Sequence, residues 1–137
     1  MRRCAWLVLV SCSFLSKGPG PNEAVGKVGR KITWRAPIKL ATFCPTCGRD
    51  APVTIEFGEP ARARLVIPLC YAHAQSKIGD HDNFQVSLID GNVAATDGEL
   101  DIEDCTSKHV IATLKASFPD NRKIDAQIDT DLTNPGK

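Results

Sequence analysis

The residues best placed for chemistry are sulfur and imidazole. Cys44-Pro45-Thr46-Cys47-Gly48 sets two thiols three residues apart on a tight turn, and the glycine that follows permits the turn. Both sulfurs can reach one ion from that geometry. Cys70-Tyr71-Ala72-His73 repeats the spacing with an imidazole in the second place. Cys44, Cys47, Cys70 and His73 could therefore close a tetrahedral Cys₃His site for zinc. Four protein ligands leave no open position for water, so such a metal would be structural. A second chemistry competes for the same thiols. Cys44, Cys47, Cys70 and Cys105 pair off completely as disulfides in an oxidising compartment, whereas zinc would strand Cys105. Sequence does not choose among the possible pairings, and both chemistries stay open. A thioredoxin-like redox pair at Cys44/Cys47 is disfavoured, because that motif should open a helix and here it precedes strands.

The elements that must position these residues read as strands. From residue 30 onward the dominant period is two. Val53, Ile55 and Phe57 alternate with Thr54 and Glu56; Ala63, Leu65, Ile67 and Leu69 share a face opposite Arg62 and Arg64; Phe84, Val86 and Leu88 alternate with Gln85 and Ser87. Val110, Ala112, Leu114, Ala116 and Phe118 make one face of a strand. Ile124, Ala126, Ile128, Thr130 and Leu132 make one face of the next, and residues 119–123 form the turn of an antiparallel hairpin. Further turn signals fall at 58–60, 90–92 and 97–98. Only residues 71–78 suggest a helical turn. The expected fold is all-β, a small antiparallel sandwich or barrel. Two knuckles joined by a β-hairpin resemble a zinc ribbon, and the C-P-x-C-G opening is characteristic of that family. The resemblance implies a zinc-ribbon-like hairpin at 44–73.

Other candidate chemistry is thin. Asp80-His81-Asp82 reads as a solvated loop, since a calcium loop needs more oxygen ligands in a defined register. Glu99, Asp101 and Glu103 share the outer face of a strand, as a water-facing row does. No nucleophile elbow, phosphate-cradling glycine loop or Glu-flanked histidine pair occurs. An enzyme would need His109, Asp101 and a cysteine gathered in one pocket, and the spacing does not recommend it. The chain reads as a non-enzyme.

The first residues have a different character. Arg2 and Arg3 precede the short apolar run Ala5-Trp6-Leu7-Val8-Leu9-Val10, far below the ~20 residues of a membrane-spanning helix. That is the form of a secretory signal. Leu9-Val10-Ser11-Cys12 resembles the lipobox of bacterial lipoproteins, which implies lipid attachment at Cys12 and removal of residues 1–11. Residues 16–22, Ser-Lys-Gly-Pro-Gly-Pro-Asn, have the composition of a tether. The expected organisation is a signal peptide at 1–11, a flexible tether at 12–24 and one β-rich domain at 25–137. Ser13 after Cys12 implies, by resemblance to enteric sorting rules, the outer membrane rather than inner-membrane retention. The Gly26–Lys31 stretch, the Gly98–Ile102 strand and the closing hairpin look like those of many small bacterial lipoproteins of unassigned function. That resemblance implies an envelope location, on the periplasmic or surface face, and a β fold, with no activity attached.

Charge is nearly balanced at +1 but unevenly spread. Residues 1–79 carry twelve Lys/Arg against four Asp/Glu, and residues 80–137 carry five against twelve. Complementary faces of one domain account for this, and a basic patch for anionic lipid or nucleic acid is the alternative. The basic half lacks interleaved aromatics, so nucleic acid is not the expected partner. The expectation is a lipid-anchored envelope protein whose domain binds or supports another, unidentified, envelope component. The alternative is a cytosolic zinc-ribbon protein mediating protein or nucleic-acid interaction.

Overall fold

A computed structural model describes residues 18–44, 52–68, 74–78 and 84–133. Every regular element among them is a strand: β1 (Glu23–Val28), β2 (Lys31–Phe43), β3 (Val53–Phe57), β4 (Ala63–Ile67), β5 (Ala74–Lys77), β6 (Gln85–Leu88), β7 (Val93–Ala94), β8 (Asp97–Cys105), β9 (His109–Ser117) and β10 (Arg122–Asp131). They form one antiparallel sheet in the order β5-β8-β9-β10-β1-β2-β3-β4-β6-β7, curled into a half-barrel. The expected all-β class is what the chain adopts.

The curl is made by β2. Its first half pairs with β1, ending at Glu23 opposite Pro37; its second half pairs with β3, beginning at Ile38 opposite Phe57. Pro37 thus sits at the handover, where its missing N–H leaves no ladder bond unmade. Its carbonyl accepts a 2.9 Å bond from the Gly58 N–H, and the Ile38 N–H donates to Asn22 O at 2.9 Å. A register shift between Ile38 and Leu40 completes the bend. The single sheet folds over its own apolar face.

The alternating residues meet on that inner face. Ile55, Phe57, Leu65 and Phe84 come from one wing; Leu100, Val110, Leu114, Ile124 and Ile128 come from the other, all at most 2% exposed. Each such side chain contributes roughly 1.5–3 kcal/mol of burial. The closing hairpin forms as the alternation requires: β9 and β10 pair from Ser117 opposite Lys123 to His109 opposite Asp131. Asn121 takes the positive φ of its turn, at 68°. The free edges, β5 and β7, are four and two residues long, which limits pairing with other chains.

Two expectations change. Residues 74–77, read as a helical turn, are strand β5 and pair with β8, Ala74 opposite Ile102. An available sheet edge overrides weak local preference. Glu23 and Ala24, assigned to the tether, already lie in β1, where Ala24 is fully buried. The expected 53–67 hairpin is present and turns at Gly58. β3 pairs with β2 and β4 with β6, and its apolar residues belong to the common core.

Candidate functional site

The strands bring the chemistry-bearing residues to one end of the sheet. β2 runs to that end and finishes at Phe43, next to Cys44; β8 finishes there at Cys105, and β9 starts there at His109. The segment after β10 ties them together. Thr133 N donates to Ala41 O at 3.0 Å, Phe43 N donates to Thr133 O at 2.9 Å, and Leu132 N donates to Lys108 O at 2.8 Å. Cys44 and Cys105 are both disulfide-bonded. Cys105 is 7% exposed and packs in the core. It reaches the core because β8 carries an extra residue: Ile102 faces Ala112, Asp104 faces Ile111 and Cys105 faces Val110. Strict alternation from Leu100 and Ile102 would have turned Asp104 inward and Cys105 out. The bulge reverses that.

Cys12, Cys47, Cys70, His73 and the Asp80-His81-Asp82 loop lie outside the described residues. Among the described residues no group of three or more His, Cys, Asp or Glu side chains is placed to hold a metal ion. His109, Asp101 and Cys105 are not gathered. Asp101 lies opposite Thr113, four residues along β9 from His109, and Cys105 points to the other face of the sheet.

His109 has partners that sequence reading did not assign. Its Nδ1 lies 2.6 Å from Asp131 Oδ1 and its Nε2 lies 2.6 Å from Asp129 Oδ1. The register puts Asp131 directly opposite His109 and Asp129 one step along the same outer face. Hydrogen bonding to Asp131, then to Asp129, raises the imidazole pKa above its ordinary 6.5, against a smaller opposing cost of desolvation. When protonated, the ring donates to both carboxylates. The cluster is a cross-strand clamp tying β9 to β10; the signal in the sequence was the two aspartates spaced by two on the partner strand.

Toward the opposite end, the outer face carries a groove of about 610 Å³ across β1, β10, β9 and β8. Its cations are Lys27, Arg30, Lys77, Lys115 and Lys123. Its acids are Asp97, Glu99 and Asp125. The sheet sets the positions: Lys27 stands opposite Lys123, Lys115 opposite both Asp125 and Glu99, and Lys77 opposite Glu99. Lys27 Nζ holds Asp125 Oδ2 at 2.8 Å, an ion pair between residues 98 apart in the chain. Among the described residues, no carboxylate is within ion-pair distance of Arg30, Lys115 or Lys123. The basic and acidic halves of the chain are thus interleaved here, leaving a cationic surplus in the groove. No family model, no curated protein and no solved structure matches this chain.

Proposed function

We infer that the protein is a lipid-anchored component of the bacterial cell envelope, held at Cys12, whose β domain serves a binding or structural role without catalysis. The observation that carries this reading is the disulfide state of Cys44 and Cys105. Stable disulfides belong to oxidising compartments outside the cytosol. A signal-like start, a lipobox at 9–12 and a Gly/Pro spacer in that order supply the route and the anchor. Several acyl chains on one residue hold a protein to a bilayer far more firmly than one. The same disulfide state speaks for the disulfide reading of the C-x-x-C segment over zinc, since the Cys44 sulfur has no thiolate to offer a metal.

The test is the intact mass of the non-reduced protein from its own cells. The expected chain begins at Cys12, carries an acyl adduct and lacks the hydrogens lost to disulfides. An unprocessed chain with reduced thiols and one bound zinc would replace this reading with that of a cytosolic zinc-ribbon protein.

A further inference from the structure

We propose that the groove formed by Lys27, Arg30, Lys115 and Lys123 sets the domain, groove end down, on an anionic phospholipid surface. The inference rests on the lipid-anchor reading, since it says how the anchored domain sits on its membrane. Three observations carry it. First, the cations converge from separate elements: Lys27 from β1, Arg30 from the β1–β2 turn, Lys115 from β9 and Lys123 from β10, all lining one groove. Second, only Lys27 among them is held by a described carboxylate, so Arg30, Lys115 and Lys123 have their charge available for phosphate. Acidic side chains of the same outer face gather instead at the far end of the strands, at Asp101, Glu103, Asp129 and Asp131, so a domain standing on its groove end holds them away from a negative surface. Third, Gly18 of the tether lies two strands from the groove wall. Gly18 O accepts a bond from Arg35 Nη1 at 3.1 Å, and Arg35 stands opposite Val25, which stands opposite Asp125 of the groove wall. Two strand spacings separate Arg35 from Asp125, about 10 Å. The six residues from Cys12 to Gly18 can reach at most about 20 Å, so an acyl chain on Cys12 holds the groove within reach of the headgroups.

The geometry also speaks to what kind of anion fits. The cations spread over three strands and a turn rather than closing around a point, and the acids Asp97, Glu99 and Asp125 line the same groove. Spaced positive points suit a field of headgroups better than one small ligand. The anchor supplies the second half of a two-signal attachment, in which an acyl group and a basic patch add their effects.

The experiment uses the full chain carrying Cys12→Ala, so that no acyl group fixes it to vesicles. It measures partitioning onto vesicles of phosphatidylglycerol and phosphatidylcholine mixed equally, and onto phosphatidylcholine alone. Each cation at an anionic surface is worth roughly fivefold, so Lys115→Gln with Lys123→Gln should lower partitioning onto the mixed vesicles about 25-fold. Binding should also fall as salt shortens the screening length. Lys108→Gln, at the far end, should change nothing, and thermal melts check that every variant is folded. Equal partitioning of the double variant and its parent overturns the proposal. So does equal binding of the parent to both vesicle types. Tight binding of a single-stranded oligonucleotide through Lys115 and Lys123, without preference for anionic vesicles, would overturn it in favour of a free polyanion. The residues before Cys12 are the same in every protein compared, so their own affinity cancels. Acylation of Cys12 is read separately by mass, so loss of the anchor and loss of the groove remain distinguishable.

Discussion

Trp34 occupies the space that a side chain at Gly26 would need. The two residues stand opposite each other on β2 and β1, and a Cβ built at Gly26 would collide with Cε2 and Nε1 of the indole. The register shifts immediately after this pair, between Gly26 and Lys27. Glycine is required here by close approach, not by backbone conformation. Gly26→Ala must push a large aromatic ring off the core, where Trp34 packs. The expected loss is about 1–3 kcal/mol, or roughly 4–8 °C per kcal/mol in a domain near this size. Gly18→Ala, where nothing lies within 4 Å, is the matched control and should melt with the parent. A Gly26→Ala protein melting with its parent would show that the indole moves aside freely.

The His109 clamp gives stability a pH dependence of known sign. Its folded pKa is raised by Asp131 and Asp129 above the ordinary 6.5. The contribution is therefore fully present below about pH 6.5 and is lost as pH rises through the higher folded value. His109→Gln should flatten the melting temperature across that window while leaving the near-UV signal of the core unchanged. The exposed setting keeps the effect modest. A parent whose stability increases over the same rise in pH would mean the imidazole is not clamped as described.

The disulfides should matter most where sulfur meets the core. Cys105 packs against the inner face at 7% exposure. Reduction of the protein should lower stability by about 2–5 kcal/mol, read as a shift in the urea midpoint. Cys105→Ala should reproduce part of that loss, and adding reductant to this variant should cost less than adding it to the parent. A midpoint indifferent to reductant would separate these cysteines from the stability of the fold, and would take with it the main support for an oxidising compartment.

Much of this architecture could be read from residue patterns. The alternations at 53–57, 84–88, 110–118 and 124–128 predicted the buried faces, because a half-buried strand has to repeat every two residues. Residues 74–77 did not show themselves. Ala-Gln-Ser-Lys has no alternation of its own, and it becomes a strand because β8 presents an edge to pair with. The curl was also hidden, since it depends on β2 changing partners at Pro37, a long-range event with no local signature. The groove was out of reach for the same reason. Its cations lie far apart in sequence and become neighbours only through register. Asp129 and Asp131 alternate with the inward residues of β10, but the residue they meet depends on where β9 is laid against that strand.

The bulge in β8 makes a sharper prediction than any single substitution. Glu103 and Asp104 together occupy the outward position opposite Ile111, between the inward residues Ile102 and Cys105. Deleting Glu103 removes the extra residue and leaves Ile102 opposite Ala112, Asp104 opposite Ile111 and Cys105 opposite Val110. Every inward side chain keeps its face, so stability should change by no more than about 1 kcal/mol, and no new free thiol should appear. Deleting Asp101 shortens β8 by the same amount but falls before the bulge. With the Cys105 register kept, Ile102 turns to water and Glu103 turns into the core. Burying that carboxylate beside Leu114 and exposing an isoleucine should cost at least about 3 kcal/mol. Urea melts and thiol counts on the two deletions measure the difference directly. If both are tolerated alike, the register of β8 is not held by its inward residues, and the inward placement of Cys105 must be fixed by its disulfide instead.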